Sequence, residues 1–206
     1  MIEMTTLEGF FPATVMPDAD WWQALWPRPD RVLAELGILP GIDMAVDLCC
    51  GDGLFTVPLA RLARHLAAID IGPRMLALVR EKVAAVASGA DCEFIEGDAY
   101  DVAWLVQRPA DVVLIANTSH GVPDKTRLAR GAAAVLKPGG RFIVANWHKR
   151  PREETAVLGE LRGPRTEMRM ESEDVAAVVA PAGLKLVRVV ELPPYHYGAI
   201  FEKPPT

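Results

Sequence analysis

A doubly wound α/β domain is the fold this 206-residue sequence predicts, with a seven-stranded, mainly parallel sheet and an antiparallel hairpin at its C-terminal edge. Three observations predict it. Five short apolar runs between residues 44 and 146 alternate with stretches whose apolar residues recur every three to four positions. Small residues and acids stand where the first run ends, in Asp47-Leu48-Cys49-Cys50-Gly51-Asp52-Gly53. Beyond residue 171 a short helical pattern is followed by two more strand-length runs that meet at Pro193-Pro194.

The expected strands of the first part are Met44–Leu48, Leu66–Asp70, Cys92–Glu96, Asp111–Ala116 and Arg141–Asn146. Helices are expected over Leu54–Arg64, Pro73–Ala87, a short Asp101–Val106 and Lys125–Leu136. Pro73 follows Gly72 just inside a helix start, where a missing N–H is tolerated, and Lys137-Pro138-Gly139-Gly140 stops a helix. Pro58 falls near the first turn of its helix. Strands separated by helices need right-handed crossovers and therefore a parallel sheet. The C-terminal part reads as a helix over Ser172–Pro181 with Ser172 as N-cap, then strands Leu184–Leu192 and His196–Lys203.

The remaining segments look different. Residues 1–40 combine Phe10, Phe11, Trp21, Trp22 and Trp26 with Pro12, Pro17, Pro27, Pro29 and Pro40. Aromatics need burial while prolines prevent long helices, so this is an arm or cap with short helices at Ala19–Leu25 and Asp30–Leu36. The domain proper is expected over 41–206, with a lid loop at 148–171. The stretch from His148 to Met170 holds six cationic against four acidic side chains in a chain of net charge −5. It reads either as solvated loop or as a mobile lid that greets an anionic substrate.

Composition narrows the function. An acidic chain disfavours nucleic acid as a partner. No apolar run approaches the length of a membrane span, and the N-terminus has acids where a signal peptide needs basic residues. Three cysteines are too few for a disulfide framework, so a reducing, cytoplasmic setting is expected. Cys49, Cys50 and Cys92 do not converge as metal ligands, because neighbours on a strand point to opposite faces and Cys92 begins a strand where Cys49 ends one. No metal site is expected.

The chemistry concentrates at strand ends. Asp47 ends the first strand, Asp70 ends the second twenty-three residues later, and Glu96-Gly97-Asp98-Ala99 ends the third. An acid at this offset binds ribose hydroxyls in nucleotide-binding folds. A dinucleotide loop of the G-x-G-x-x-G type offers free N–H groups to a pyrophosphate. Here the pattern is Cys-Cys-Gly-Asp-Gly, with Thr56 at the third fingerprint position and Asp52 adding negative charge. A cationic nucleoside without phosphates is the ligand implied.

Four segments resemble the class I S-adenosylmethionine-dependent methyltransferases, whose fold is Rossmann-like. Val46–Gly53 is similar to their glycine-rich first motif, Ala68–Leu76 to their second-strand motif, Gly97-Asp98-Ala99 to the third, and Leu136–Phe142 to the segment before strand five. The resemblance is closest to the small-molecule branch that includes quinone-type methyltransferases. It implies that Asp47, Cys49, Gly51 and Gly53 shape the methionine pocket, with Asp47 facing the ammonium. It also implies that Asp70 holds both ribose hydroxyls and that Ile71 and Met75 line the adenine. Asp98 would accept from the adenine amino group, the Ala99 N–H would meet a ring nitrogen, and Asn117 would sit beside the methionine. The family usually has glycine where Cys49 stands.

Other readings stand beside these. Met75 also reads as core. His120 and His148, which follow strands four and five, read as general bases for an acceptor proton or as hydrogen-bonded loop residues. The direction of the last strand leaves Tyr195, His196 and Tyr197 unplaced. The arm tryptophans suit stacking on a ligand or plain anchoring. Methyl transfer to a small-molecule acceptor is the function expected. A non-catalytic cofactor-binding module or partner subunit is the alternative, and a nicotinamide-dependent oxidoreductase a further one.

Overall fold

The computed structural model describes residue 11, residues 19–87 and residues 89–205. Phe10, Pro12 and Pro17 of the expected arm lie outside the described residues. Two short helices come first, α1 (Ala19–Leu25) and α2 (Pro29–Glu35). The alternating part then runs β1 (Ile42–Leu48), α3 (Thr56–Leu59), β2 (Ala63–Asp70), α4 (Pro73–Val86), β3 (Asp91–Glu96), α5 (Val102–Leu105), β4 (Ala110–Ala116), α6 (Lys125–Val135) and β5 (Leu136–Trp147). A small hairpin of β6 (Ala156–Val157) and β7 (Glu160–Leu161) precedes α7 (Ser172–Val179), and β8 (Lys185–Leu192) and β9 (His196–Glu202) close the chain.

The main sheet has seven strands in the order β3-β2-β1-β4-β5-β9-β8. β1 to β5 pair in parallel, β9 runs antiparallel to β5, and β8 pairs with β9 at the edge. A cis peptide bond joins Pro193 to Pro194 in the β8–β9 turn.

Strand side chains alternate between two cores, as a pleated sheet requires. Met44, Val46, Leu48, Val113, Ile115, Phe142 and Val144 face α5, α6 and α7. Ala45, Leu66, Val112, Leu114, Ile143 and Trp147 face α1 to α4. Helices on both faces make the sheet doubly wound.

The expected helix over Leu54–Arg64 is the main departure. Only Thr56–Leu59 is helical, because the backbone has already turned into β2 at Ala63. The crossover is therefore a single turn, with Pro58 buried inside it. The Lys137-Pro138-Gly139-Gly140 segment ends α6 as expected but is itself the extended start of β5. The cap of α7 also differs. Glu171 is the N-cap, exchanging side-chain and backbone hydrogen bonds with Asp174, and Ser172 is the first helical residue.

Aromatic burial fixes the arm helices. Seven residues are too few to hold a helix in water, so tertiary contact must stabilise α1. Trp21, Leu25 and Trp26 are buried, and Trp22 stacks between Trp21 (4.6 Å) and Trp26 (5.7 Å). Truncating a buried tryptophan costs about 3–5 kcal/mol. Leu33 and Leu36 bury the other helix against the sheet, and Gly198 of β9 makes room for them: a Cβ there would meet the Leu36 side chain at 2.1 Å.

Candidate active site

The order β2-β1-β4 places the point where the winding reverses between β1 and β4. Open α/β sheets form their ligand crevice there, outside the carboxyl ends of the strands. Two non-glycine residues with left-handed backbone flank that point, Cys49 after β1 (φ 59°) and Asn117 after β4 (φ 59°). Such conformations are costly for residues with a side chain and cluster at functional sites. Cys49 therefore shows why glycine is usual at its position: the turn needs φ > 0.

Backbone hydrogen bonds tie the strand ends together. Cys50 N donates to Ile69 O (3.0 Å), Gly97 N to Asp70 O (3.1 Å), and Asn117 N to Ala145 O (2.9 Å). Gly51 (φ 54°) and Gly53 (φ 92°) complete the turn after β1. A Cβ on Gly53 would lie 2.4 Å from Val79 Cγ2, so only glycine lets the turn close onto α4.

Asp70 is buried at the centre of this edge. Its Oδ2 accepts from Gly51 N (2.9 Å) and its Oδ1 from Gly72 N (2.8 Å). Burial raises its pKa above the usual carboxylate value, while the backbone donors at Gly72, Gly51 and Ile71 oppose that rise. An ionised carboxylate has about four acceptor positions, so acceptor capacity remains beyond these backbone donors.

Asp47 is more deeply placed. Its Oδ2 accepts from the Thr56 hydroxyl at 2.6 Å, and burial pushes its pKa up to about 7, with the Thr56 bond lowering it and the nearby Asp70 charge adding to the rise. Asp47 thus couples the end of β1 to the first residue of α3. Asp52 is paired with Lys82 of α4 at 2.5 Å. The negative charge of Asp52 is accordingly offset, and below about pH 7, where Asp47 keeps its proton, Asp70 is the acid of the turn left to carry a negative field.

Asp98 accepts from Tyr100 N (2.9 Å) through one oxygen, which opens the short 3-10 turn Ala99–Asp101, and Ala99 is buried. Ile71 and Met75 are half-buried and belong to neither apolar core. The reading of Met75 as core is therefore not met. The Asn117 side-chain oxygen is buried without a hydrogen-bond partner. Diol capacity at Asp70, apolar walls at Ile71 and Met75, and an unpartnered acceptor at Asn117 together fit a cationic nucleoside.

The histidines divide. His120 is buried in the 3-10 turn Ser119–Gly121 after β4. His148 follows β5, and both of its ring nitrogens face glutamates: Nε2 lies 3.0 Å from Glu191 and Nδ1 3.6 Å from Glu171. His196 was unplaced in sequence, and the antiparallel register settles its position. It pairs with Trp147, level with the carboxyl end of β5. Its ring lies 4.1 Å from that of Trp147 and 4.5 Å from that of Trp26. Nothing in the residue pattern marked Trp147 for this edge, and Thr56 was marked only as a departure from the dinucleotide fingerprint; for His196 the missing information was strand direction.

Residues 148–171 are folded around Arg169. This guanidinium is buried and donates to the carbonyls of Pro164, Arg150 and Arg162 and to the Thr155 hydroxyl. It also sits 5.1 Å above the Trp147 ring. Tyr195 donates to the Ala156 carbonyl, and Arg162 stands over Trp21, joining β9, the small hairpin and the arm.

The similarities of this chain are to methyltransferases. Residues 45–140 match the family model of a methyltransferase domain. The chain is 28% identical over 141 residues to a protein named ubiquinone biosynthesis O-methyltransferase from Xanthomonas axonopodis pv. citri, covering 64% of this chain and 57% of the relative. It is 29% identical over 139 residues to the protein of the same name from Xanthomonas euvesicatoria pv. vesicatoria, with the same shares covered. The chain thus spans a little over half the length of the curated relatives it matches. Among solved structures, a SAM-dependent methyltransferase from Aquifex aeolicus superposes with a TM-score of 0.73 at 21% identity, over 90% of this chain and 94% of that one. The N-methyltransferase NodS from Bradyrhizobium japonicum WM9, in complex with S-adenosyl-l-homocysteine, gives 0.68 at 17% identity, over 91% and 93%. These structures share the fold.

Proposed function

We propose that this chain transfers a methyl group from S-adenosylmethionine to a small-molecule acceptor. The observation that carries the reading is Asp70, held by two backbone donors at the carboxyl end of β2 with acceptor positions to spare for a diol. When bound, the cofactor supplies a methyl group already activated on a sulfonium, so the protein chiefly aligns the partners and excludes water.

In this reading Asp70 binds both ribose hydroxyls, and Ile71 and Met75 sandwich the adenine edge that Asp98 and the Ala99 N–H address. Cys49, Gly51, Gly53 and Asn117 enclose the methionine, and Asp47 faces its ammonium, whose positive charge favours the ionised carboxylate. The arm helices α1 and α2 and the lid of residues 148–171 roof the acceptor side of domain 41–206. His120 and His148 are the candidate bases from the strand ends, and both ring nitrogens of His148 already face glutamates.

The acceptor side is rich in aromatic rings, and the buried cation there, Arg169, is consumed by internal acceptors. This supports a neutral acceptor over an anionic one. Three free thiols, Cys49, Cys50 and Cys92, support a reducing, cytoplasmic setting. No described helix is long and apolar enough to cross a membrane. A methyl-transfer screen against a metabolite library with labelled cofactor tests the reading. Binding of cofactor with no labelled product from any fraction would favour a non-catalytic module.

A further inference from the structure

The carboxyl end of β5 carries a side-chain cluster that the cofactor residues do not use. His196 is 1% exposed, and neither of its ring nitrogens has a hydrogen-bond partner. Trp147 packs on it at 4.1 Å and Trp26 at 4.5 Å, and Phe55, just after the glycine turn, lies 5.2 Å from Trp26. The indole nitrogen of Trp26 is likewise buried without a partner. An imidazole with two unmet polar atoms in an aromatic surround is costly, by more than one hydrogen bond's worth of desolvation.

The place that Trp26 occupies has a definite chemistry. It holds a flat, neutral ring bearing an N–H, pressed against an imidazole at the edge of the sheet where the methyl group would be presented. We propose that this is the inner part of the acceptor site. A flat, neutral aromatic acceptor with an O–H or N–H donor displaces the Trp26 indole, stacks against Trp147 and hydrogen-bonds His196. The inference rests on the methyl-transfer reading and names its substrate class.

Three features support it. Burial drives the His196 pKa well below the ordinary histidine value, and the fields of His148, Arg169 and His120 push in the same direction, so the imidazole is neutral and suited to an uncharged partner. Arg169, on the Trp147 ring, spends four of its five N–H donors on Pro164, Arg150, Thr155 and Arg162 and has little left for an anion. Trp26 sits at the end of a seven-residue helix, with Pro27 directly after it, so α1 can move without unwinding any strand.

Phenol is the probe, with benzoate as its anionic counterpart, titrated into the full chain by ligand-observed NMR with and without saturating S-adenosylhomocysteine. Phenol binds the wild-type chain, and benzoate binds at least about tenfold more weakly. His196→Phe weakens phenol by about tenfold or more. Trp26→Ala tightens phenol binding, because the site no longer has to be vacated. Trp26→Phe serves where the alanine variant does not fold, and gives a smaller change of the same sign. S-adenosylhomocysteine affinity stays within about twofold of wild type in each variant, which also reports that it is folded. Absent phenol binding, equal binding of benzoate, or His196→Phe without effect would overturn the proposal. Loss of S-adenosylhomocysteine binding in the wild-type chain would instead sink the methyl-transfer reading, and the phenol series without nucleoside still tests the aromatic site.

Discussion

The Asp70 carboxylate accepts a 2.9 Å hydrogen bond from the Gly51 backbone N–H, so the acid of the second strand holds the glycine turn of the first. One side chain would thereby serve two parts of the crevice, facing the ribose in the proposed reading and fixing the loop that would enclose the methionine.

Asp70→Ala removes both functions. It leaves the Gly51 and Gly72 N–H groups without their acceptor, at about 1–3 kcal/mol for each that stays buried. Cofactor affinity measured by calorimetry should fall at least about a hundredfold, which corresponds to two lost hydrogen bonds to a charged acceptor. Asp70→Asn keeps one acceptor oxygen and should fall between wild type and alanine. Unchanged affinity in the alanine variant would mean that the ribose lies elsewhere.

Cys49 makes a second prediction, through its backbone. At φ 59° a side chain costs about 1–2 kcal/mol, and glycine avoids that cost while losing about 0.5–1 kcal/mol to chain entropy. Cys49→Gly should therefore equal or exceed wild-type stability by up to about 1 kcal/mol in urea denaturation, whereas the β-branched Cys49→Val should lose about 2 kcal/mol. A glycine variant markedly less stable than wild type would show that thiol packing outweighs backbone strain.

Stability should also depend on pH through Asp47. Burial holds its folded-state pKa at about 7, above the unfolded value of 3.8. Between those values the native chain keeps a proton that the unfolded chain releases, so this contribution is full below about pH 4 and is lost as pH rises through about 7. Asp70, also raised by burial, acts with the same sign. His196, held neutral by burial, acts with the opposite sign below its ordinary pKa, so the Asp47 contribution is read as a difference: between pH 5 and pH 7.5 the urea midpoint of cofactor-free Asp47→Asn should fall less, or rise more, than that of wild type. An equal slope in both proteins would locate the titration elsewhere.

Much of the architecture was legible because it follows from local pattern. The runs around Val46, Ile69, Val113 and Val144 are strand-length and rich in branched residues, and the acids Asp47 and Asp70 stand where the first two end. The part that was not legible depends on pairing or direction. A helix pattern over Leu54–Arg64 is overridden because β2 needs Ala63 onward for its register with β1. His196 acquires a position only once β9 is known to run antiparallel beside β5. Arg169 resembles any surface cation in sequence, yet its five-residue reach to Pro164 and fourteen-residue reach to Thr155 make it the centre of the 148–171 segment.

That centre predicts a separable defect. Arg169→Met keeps much of the volume but leaves the carbonyls of Arg150, Arg162 and Pro164 without their donor. Limited proteolysis should then cut within residues 150–168, and any methyl transfer should fall at least about tenfold through loss of alignment. Cofactor affinity should stay within about threefold, because Asp70 and Asp98 lie on other strands. A protease-resistant segment in this variant would show that the lid does not depend on Arg169.

The most direct test of the central claim is calorimetric titration of the whole chain with S-adenosylhomocysteine, run in parallel with a reduced nicotinamide dinucleotide. A crevice built from Asp47, Gly51, Asp70 and Asp98 should bind the nucleoside at one site per chain and give no heat with the dinucleotide. Heat from the dinucleotide alone, or from neither ligand, would contradict it.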